Sequence, residues 1–264
     1  MSITPVTLTY RSPHLALDLW RPVGPARRLV VHAHGGGFVH GSRDDRIARF
    51  YGPLLAEKGI AFASISYRKG GAPRRAFDAE MLEKIETAAA RSQAFYPDVR
   101  PSLLGVHLYR AAVDFADAAH FLLTDEGVGL AELPWIAMGN SSGGLAAMAA
   151  AYGLSHWSRD ATLPSPRRVV AIASIVPQPW RLTPEGPEAA LLCARGDAVF
   201  PRGQVDRLVD YVEQDSLPVT FNRIPFGQHT RPVREVLPDD TGEIGQYGRW
   251  LLDQIEGGAG ALAP

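Results

Sequence analysis

Two different hydrophobic rhythms run along this chain. Val6–Tyr10 and Ala16–Trp20 alternate apolar and polar side chains, which predicts two half-exposed strands, expected to pair antiparallel. Further on, the apolar positions close into short continuous runs. Arg28–Ala33, Ile60–Tyr67, Trp135–Gly139, Val169–Val176, Ala189–Ala194 and Val219–Ile224 read as strands buried on both faces. Segments of helical period separate them: Asp45–Lys58, Phe77–Ala94, Leu108–Leu123, Ser142–Tyr152, Gly203–Gln214 and Gly245–Ile255. Ser42 or Asp44 is placed to cap the first of these helices, and Gly59 stands where it should end. Strands alternating with helices predict an α/β fold of about eight strands, mostly parallel, with helices on both faces.

Composition narrows the class. The 264 residues are 46% hydrophobic and 21% charged, enough apolar material for one domain spanning 1–264. A formal net charge of −1 gives no basic excess for nucleic acid. The single Cys193 excludes an internal disulfide and a cysteine-rich zinc site. No signal-peptide pattern opens the sequence and no long apolar run could span a bilayer, so a cytoplasmic protein without membrane contact is expected. The tail 257–264, rich in Gly and Ala, is expected to fray.

Two glycine motifs carry the chemistry. Gly139-Asn140-Ser141-Ser142-Gly143-Gly144 lies between a short strand and an uncharged, small-residue helix. In that setting G-x-S-x-G forms a sharp turn that lifts the central serine hydroxyl clear of the sheet, where a histidine can activate it. The register centres on Ser141. His34-Gly35-Gly36-Gly37-Phe38 follows the Arg28–Ala33 strand, and three successive glycines leave backbone N–H groups open towards a substrate oxygen, as an oxyanion hole requires. The lysine of a phosphate-binding loop is missing.

With these motifs the chain resembles the α/β-hydrolase superfamily, in particular the hormone-sensitive-lipase-like and related small carboxylesterases. Ser64-Ile65-Ser66-Tyr67-Arg68 adds to that resemblance, which runs from about Val30 to His229. It implies an oxyanion hole from the N–H groups of Gly36, Gly37 and Ser142, with His34 and Gly35 organising the loop. Triad partners in this fold follow the serine in the order acid, then histidine. Arg195-Gly196-Asp197, with Pro201 four residues beyond the aspartate, is similar to the family's acid turn and implies Asp197 as the acid. Asp206 and Asp210 are rivals on the following helix, read as surface residues. His229 is the only histidine after Asp197 and is the expected general base. The seven earlier histidines are read as structural or surface residues, with His40, beside the glycine loop, the one that could touch the site.

The chain departs from the family at Lys69-Gly70-Gly71-Ala72, which replaces the usual Pro-Glu pair, and in a long connection at about 70–107, read as a cap-like insertion. Only residues 177–188 join the strands ending at Val176 and starting at Ala189, too few for a large lid. Cover from 70–107 is therefore expected, with Phe38, Trp180 and Phe200 as candidate substrate-binding walls. The expected activity is a carboxylesterase acting on small acyl esters through an acyl-enzyme, with no metal and no cofactor. An arylformamidase-like amide hydrolase would use the same triad, and a non-catalytic binding protein is the alternative of a different kind. The expected partner is a small-molecule ester or amide; nothing in the sequence indicates a homo-oligomer.

Overall fold

The computed structural model describes residues 3–153 and 163–257. The expected fraying of 257–264 falls almost wholly outside the described residues, as does His156. Eight strands form one sheet: β1 (Val6–Ser12), β2 (Leu15–Trp20), β3 (Arg28–Ala33), β4 (Ile60–Ile65), β5 (Trp135–Asn140), β6 (Arg168–Ile172), β7 (Glu188–Ala194) and β8 (Val219–Ile224). Their spatial order is β1-β2-β4-β3-β5-β6-β7-β8. β1 pairs antiparallel with β2, and β2 antiparallel with β4; every later pairing is parallel. The alternating opening of the sequence thus forms the antiparallel edge, although β2, expected half-exposed, is buried throughout between β1 and β4, and the continuous apolar runs form the parallel centre.

Successive side chains of a strand point to opposite faces, so each central strand feeds two cores. On one face Leu29, Val31 and Ala33 of β3 and Trp135 and Ala137 of β5 pack with Leu108 and Phe115 of α4 (Val106–Thr124) and Leu145 of α5 (Ser142–Gly153). On the other, Val30, Ile136 and Met138 meet Tyr51 and Leu55 of α1 (Arg46–Glu57) and Trp250, Leu251 and Ile255 of α8 (Gln246–Glu256). α5 sits so deep that ten of its twelve residues are buried. Among the described residues no helix is long and apolar enough to cross a membrane.

Several element ends differ from expectation, each for a visible reason. Asp45, rather than Ser42 or Asp44, caps α1, its side chain accepting from Ala48 N at 2.8 Å. β4 stops at Ile65, because Tyr67 and Arg68 turn to other partners: Tyr67 Oη donates to His34 O at 2.8 Å and Arg68 N donates to Asp114 Oδ2 at 2.8 Å. β6 stops at Ile172, where Ala173 takes φ 50° and turns the chain out of the sheet. The 70–107 connection holds a 3₁₀ turn (Pro73–Ala76), α2 (Ala79–Phe95) and α3 (Pro101–Leu104). It is tied down by Ser92 Oγ donating to Pro177 O at 2.8 Å and Tyr96 Oη to Val176 O at 2.7 Å. Beyond β7 come α6 (Arg202–Gln214) and, after β8, a short α7 (Arg231–Glu235) that the hydrophobic pattern did not predict.

Candidate active site

The turn from β5 into α5 is set by glycine. A Cβ on Gly139 would sit 2.4 Å from the Gly143 carbonyl carbon, one on Gly143 2.1 Å from Ala33 O, and one on Gly144 2.7 Å from Ser174 Cβ. Strand, helix and the end of β3 therefore approach more closely than any side chain permits. Between them Ser141 is held at φ 52°, a left-handed conformation that costs a non-glycine residue about 1–3 kcal/mol. Two hydrogen bonds pin it there: Ser141 N donates to Ile172 O at 2.8 Å, and Leu145 N donates to Ser141 O at 3.0 Å.

This turn brings Ser141 Oγ within 2.8 Å of His229 Nε2, and His229 Nδ1 lies 2.8 Å from Asp197 Oδ2. Asp197 is buried at the C-terminal end of β7. Its other oxygen accepts from Val199 N at 2.7 Å and Phe200 N at 3.0 Å, which fixes the carboxylate plane. An acceptor at Nδ1 assigns the imidazole proton to that nitrogen, leaving Nε2 with the lone pair that faces the serine hydroxyl. The acid turn and the histidine loop touch directly, since a Cβ on Gly196 would meet Gly227 O at 2.6 Å. Phe200 closes the other side of the imidazole, edge-on at 5.5 Å between ring centroids.

The glycine loop after β3 faces the same space. Gly36 and Gly37 take φ 122° and 61°. Gly36 O accepts from Val39 N and His40 N at 3.1 and 2.9 Å, so the turn closes on a carbonyl and leaves the glycine N–H groups outside it. A Cβ on Gly35 would be 3.2 Å from Ser141 Cβ, which places the loop against the serine. Ser142 opens α5, so its N–H is one of the donors a helix start leaves without an internal partner. The Ser142 side chain points elsewhere, to within 3.4 Å of Tyr67 Oη.

His34 is buried and stacked on Tyr67, with centroids 4.4 Å apart and planes 19° from parallel. Burial pushes it down to about 4 and keeps it neutral. Its Nδ1–H donates to Gly35 O at 2.7 Å. Below the serine, His32 is fully enclosed, with Nε2 3.2 Å from Asn140 Oδ1 and Nδ1 3.3 Å from Ser64 Oγ.

A cavity of about 830 Å³ opens above Ser141 and His229. Its wall takes Gly35, Gly36, Gly37 and His40 from the glycine loop and Ile47 from α1. Arg100, Ser102 and Leu103 come from the 70–107 segment, and Val233, Arg234 and Leu237 from α7 and the residues after it. The expected walls Phe38, Trp180 and Phe200 are not in that lining. Phe38 has φ 64°, which turns its ring into the core against Tyr67; Trp180 lies under the Arg91 guanidinium; Phe200 is spent on the His229 ring. His14 is exposed, and His107 and His120 are half-buried on α4. Asp206 pairs with Arg202 and Arg223 at the surface. Cys193 is buried with its thiol pushed up to about 12 by desolvation, which leaves it a packing residue.

The pairing of Arg68 with Asp114 and the roles of Tyr67 and His32 were not legible in the sequence, because their partners lie 32 to 108 residues away.

No protein-family model matches the chain, and no curated protein matches it either. Solved structures do. The propionate-bound form of a thermophilic esterase, Est2 of the planctomycete Thermogutta terrifontis, superposes with a TM-score of 0.69 at 14% identity, covering 99% of this chain and 96% of that one. The same esterase 2 phosphorylated by paraoxon gives 0.66 at 14% identity over 100% and 97%, and the form phosphonylated by cyclosarin gives 0.60 at 13% over 85% and 84%. At such identity the likeness is one of fold: the chain has the α/β-hydrolase fold.

Proposed function

We propose that the protein is a serine hydrolase that cleaves carboxylic esters of small acyl groups through an acyl-enzyme. The observation that carries this reading is the hydrogen-bonded chain Ser141 Oγ, His229, Asp197, with both links at 2.8 Å. A serine hydroxyl becomes a competent nucleophile only when a base accepts its proton as the bond to carbon forms, and His229 Nε2 is in position to do so. Asp197 would hold the imidazole and stabilise its cation, without taking the proton itself. The N–H groups of Gly36, Gly37 and Ser142 would receive the charge that develops on the carbonyl oxygen; losing one such donor typically costs about 10²- to 10³-fold in kcat. The helix dipole of α5 acts in the same sense. The imidazolium then protonates the leaving alkoxide, and a water activated by His229 releases the acid. Every step is a proton transfer or acyl transfer among these groups, so none calls for a metal or organic cofactor.

The ester and small-acyl parts of the reading draw support from the folds it resembles, described as an esterase bound to propionate or butyrate and as one modified by organophosphates. A cavity of about 830 Å³ suits a substrate of that size with room to spare. The test is turnover of p-nitrophenyl butyrate by the intact protein and by Ser141→Ala, alongside labelling by a fluorophosphonate probe. Turnover and labelling confined to the wild type are expected; full turnover by the alanine variant would overturn the proposal.

A further inference from the structure

The cavity above Ser141 has an unbalanced wall. Arg46 in the first turn of α1, Arg100 just before α3 and Arg234 in α7, far apart in sequence and all exposed, border the same opening. None of the three guanidiniums has a carboxylate partner among the described residues, whereas neighbouring arginines do: Arg49 with Asp44, Arg43 with Asp18 and Arg231 with Glu235. The one acidic side chain in the wall, Asp45, is engaged as the cap of α1 through Ala48 N. The chain as a whole carries a net charge of −1, so the cluster is not a by-product of a basic protein.

From this arrangement we infer that the substrate carries an anionic group, carboxylate in the first instance, at a position away from the bond that is cleaved. The inference rests on the proposed function and names the substrate class of that same site. Three physical points support it. Guanidinium presents paired N–H donors that match a carboxylate in a two-point contact. A concave wall with three guanidiniums to one carboxylate carries an excess of positive charge, which draws its field into the opening and raises the local concentration of an anionic ligand. Arginines without internal partners give up no ion pair when that ligand arrives. The anionic group therefore contributes binding, while Ser141 and His229 act on a carbonyl further along the same molecule.

The anion could sit on either side of the ester, and two matched pairs of substrates separate those cases. On the acyl side, p-nitrophenyl hydrogen glutarate is compared with p-nitrophenyl pentanoate. On the alcohol side, 4-carboxyphenyl acetate is compared with 4-methoxycarbonylphenyl acetate. In at least one pair kcat/KM for the anionic ester, corrected for the uncatalysed rates, is expected to exceed that of its neutral partner by about tenfold or more, the scale of one charge-assisted hydrogen bond. The preference should shrink on raising NaCl to about 0.5 M, where exposed charges are screened within a few ångströms. It should also fall in Arg100→Gln and Arg234→Gln, and fall further in the double variant, mainly through a rise in KM for the anionic ester. Fluorophosphonate labelling of Ser141 is scored in the same samples. Labelled protein with no anionic preference in either pair, or with a preference that salt and the arginine variants leave intact, overturns this inference alone. Protein that is neither labelled nor active overturns the proposed function and this inference with it.

Discussion

His229 Nδ1 and Asp197 Oδ2 lie 2.8 Å apart, with the aspartate buried and its second oxygen held by two backbone N–H groups. That second pair of bonds matters as much as the first, because it stops the carboxylate from rotating away. Asp197→Asn would keep the shape of the contact but offer an N–H where the imidazole needs an acceptor. The imidazole would then hold its proton on Nε2, facing the serine, and could not act as a base. A fall in kcat of about 10⁴-fold on p-nitrophenyl butyrate is expected, with little change in thermal stability. A loss of tenfold or less would assign the acid to another residue.

Gly143 and Gly37 test two different uses of glycine. Gly143→Ala would drive a methyl group to 2.1 Å from Ala33 O, a backbone atom that cannot move without disturbing β3. Destabilisation of more than about 4 kcal/mol, seen as loss of soluble folded protein, is expected. Gly37→Ala meets open space, so its cost is confined to holding alanine at φ 61°, about 1–2 kcal/mol. The second variant should fold, and lose activity in so far as the backbone relieves that strain by rotating the residue 37 N–H away from the cavity. Equal stability of the two variants in urea unfolding would contradict this account.

How much of this was legible in the sequence depended on the range of the interactions. The turn at Ser141 was readable because its demands are local: Gly139, Gly143 and Gly144 stand within a few residues of the serine whose geometry they permit. Asp197 and His229 were readable through the resemblance, since the acid turn and the order acid, then histidine, are what the α/β-hydrolase pattern implies. The end of β4 was not, since Tyr67 and Arg68 leave the sheet for His34 O and Asp114, partners that no local pattern reveals. Phe38 was misplaced for a different reason. Position beside the glycine loop says nothing of side-chain direction, and its positive φ sends the ring into the core. The arginines of the cavity wall were invisible as a group, because only the folded chain brings 46, 100 and 234 to one opening.

Tyr67 links the glycine loop to the serine turn, with its hydroxyl 2.8 Å from His34 O and 3.4 Å from Ser142 Oγ. Tyr67→Phe keeps the ring stacked on His34 but leaves a buried carbonyl without its donor. A loss of about 1–3 kcal/mol in stability follows from that orphaned group. Because the carbonyl belongs to the residue that begins the loop, the N–H groups of Gly36 and Gly37 should shift as well. A fall in kcat of up to about 100-fold is expected, larger than any change in KM. Unaltered kcat would mean that the loop is held without Tyr67.

Asp114 is fully buried and receives three donors from one residue: Arg68 N at 2.8 Å, Nε at 2.9 Å and Nη2 at 2.6 Å. Arg110 Nη2 adds bonds to Arg68 O and Gly70 O at 3.1 and 2.7 Å, so the whole 68–70 segment hangs on this cluster. Asp114→Asn removes the charge and turns an amide N–H₂ towards a guanidinium. The expected cost is about 2–3 kcal/mol, below the roughly 3–5 of a fully enclosed pair, because 34% of the Arg68 side chain remains exposed. Urea unfolding of the two proteins at neutral pH measures it, and a difference under about 0.5 kcal/mol would show the pair to be unimportant for stability.

His34 makes stability depend on pH in a direction that can be worked out. Burial lowers its folded value from 6.5 to about 4, so between those limits the unfolded chain binds a proton that the folded chain refuses. Stability therefore rises with pH across this window. The contribution is fully present above about 6.5, declines as pH falls from there, and is fully lost below about 4. His32, also lowered by burial, acts in the same sense. Replacing His34 with Asn removes its own proton-linked contribution, leaving those of His32 and His107, while keeping a side chain able to hydrogen-bond. Unfolding free energies at pH 7.5 and pH 5 should differ less in His34→Asn than in the wild type, even if the variant is less stable at both. An identical pH dependence in the two proteins would mean that the folded state protonates His34 as readily as the unfolded chain does, and that the imidazole beside the glycine loop is not held neutral.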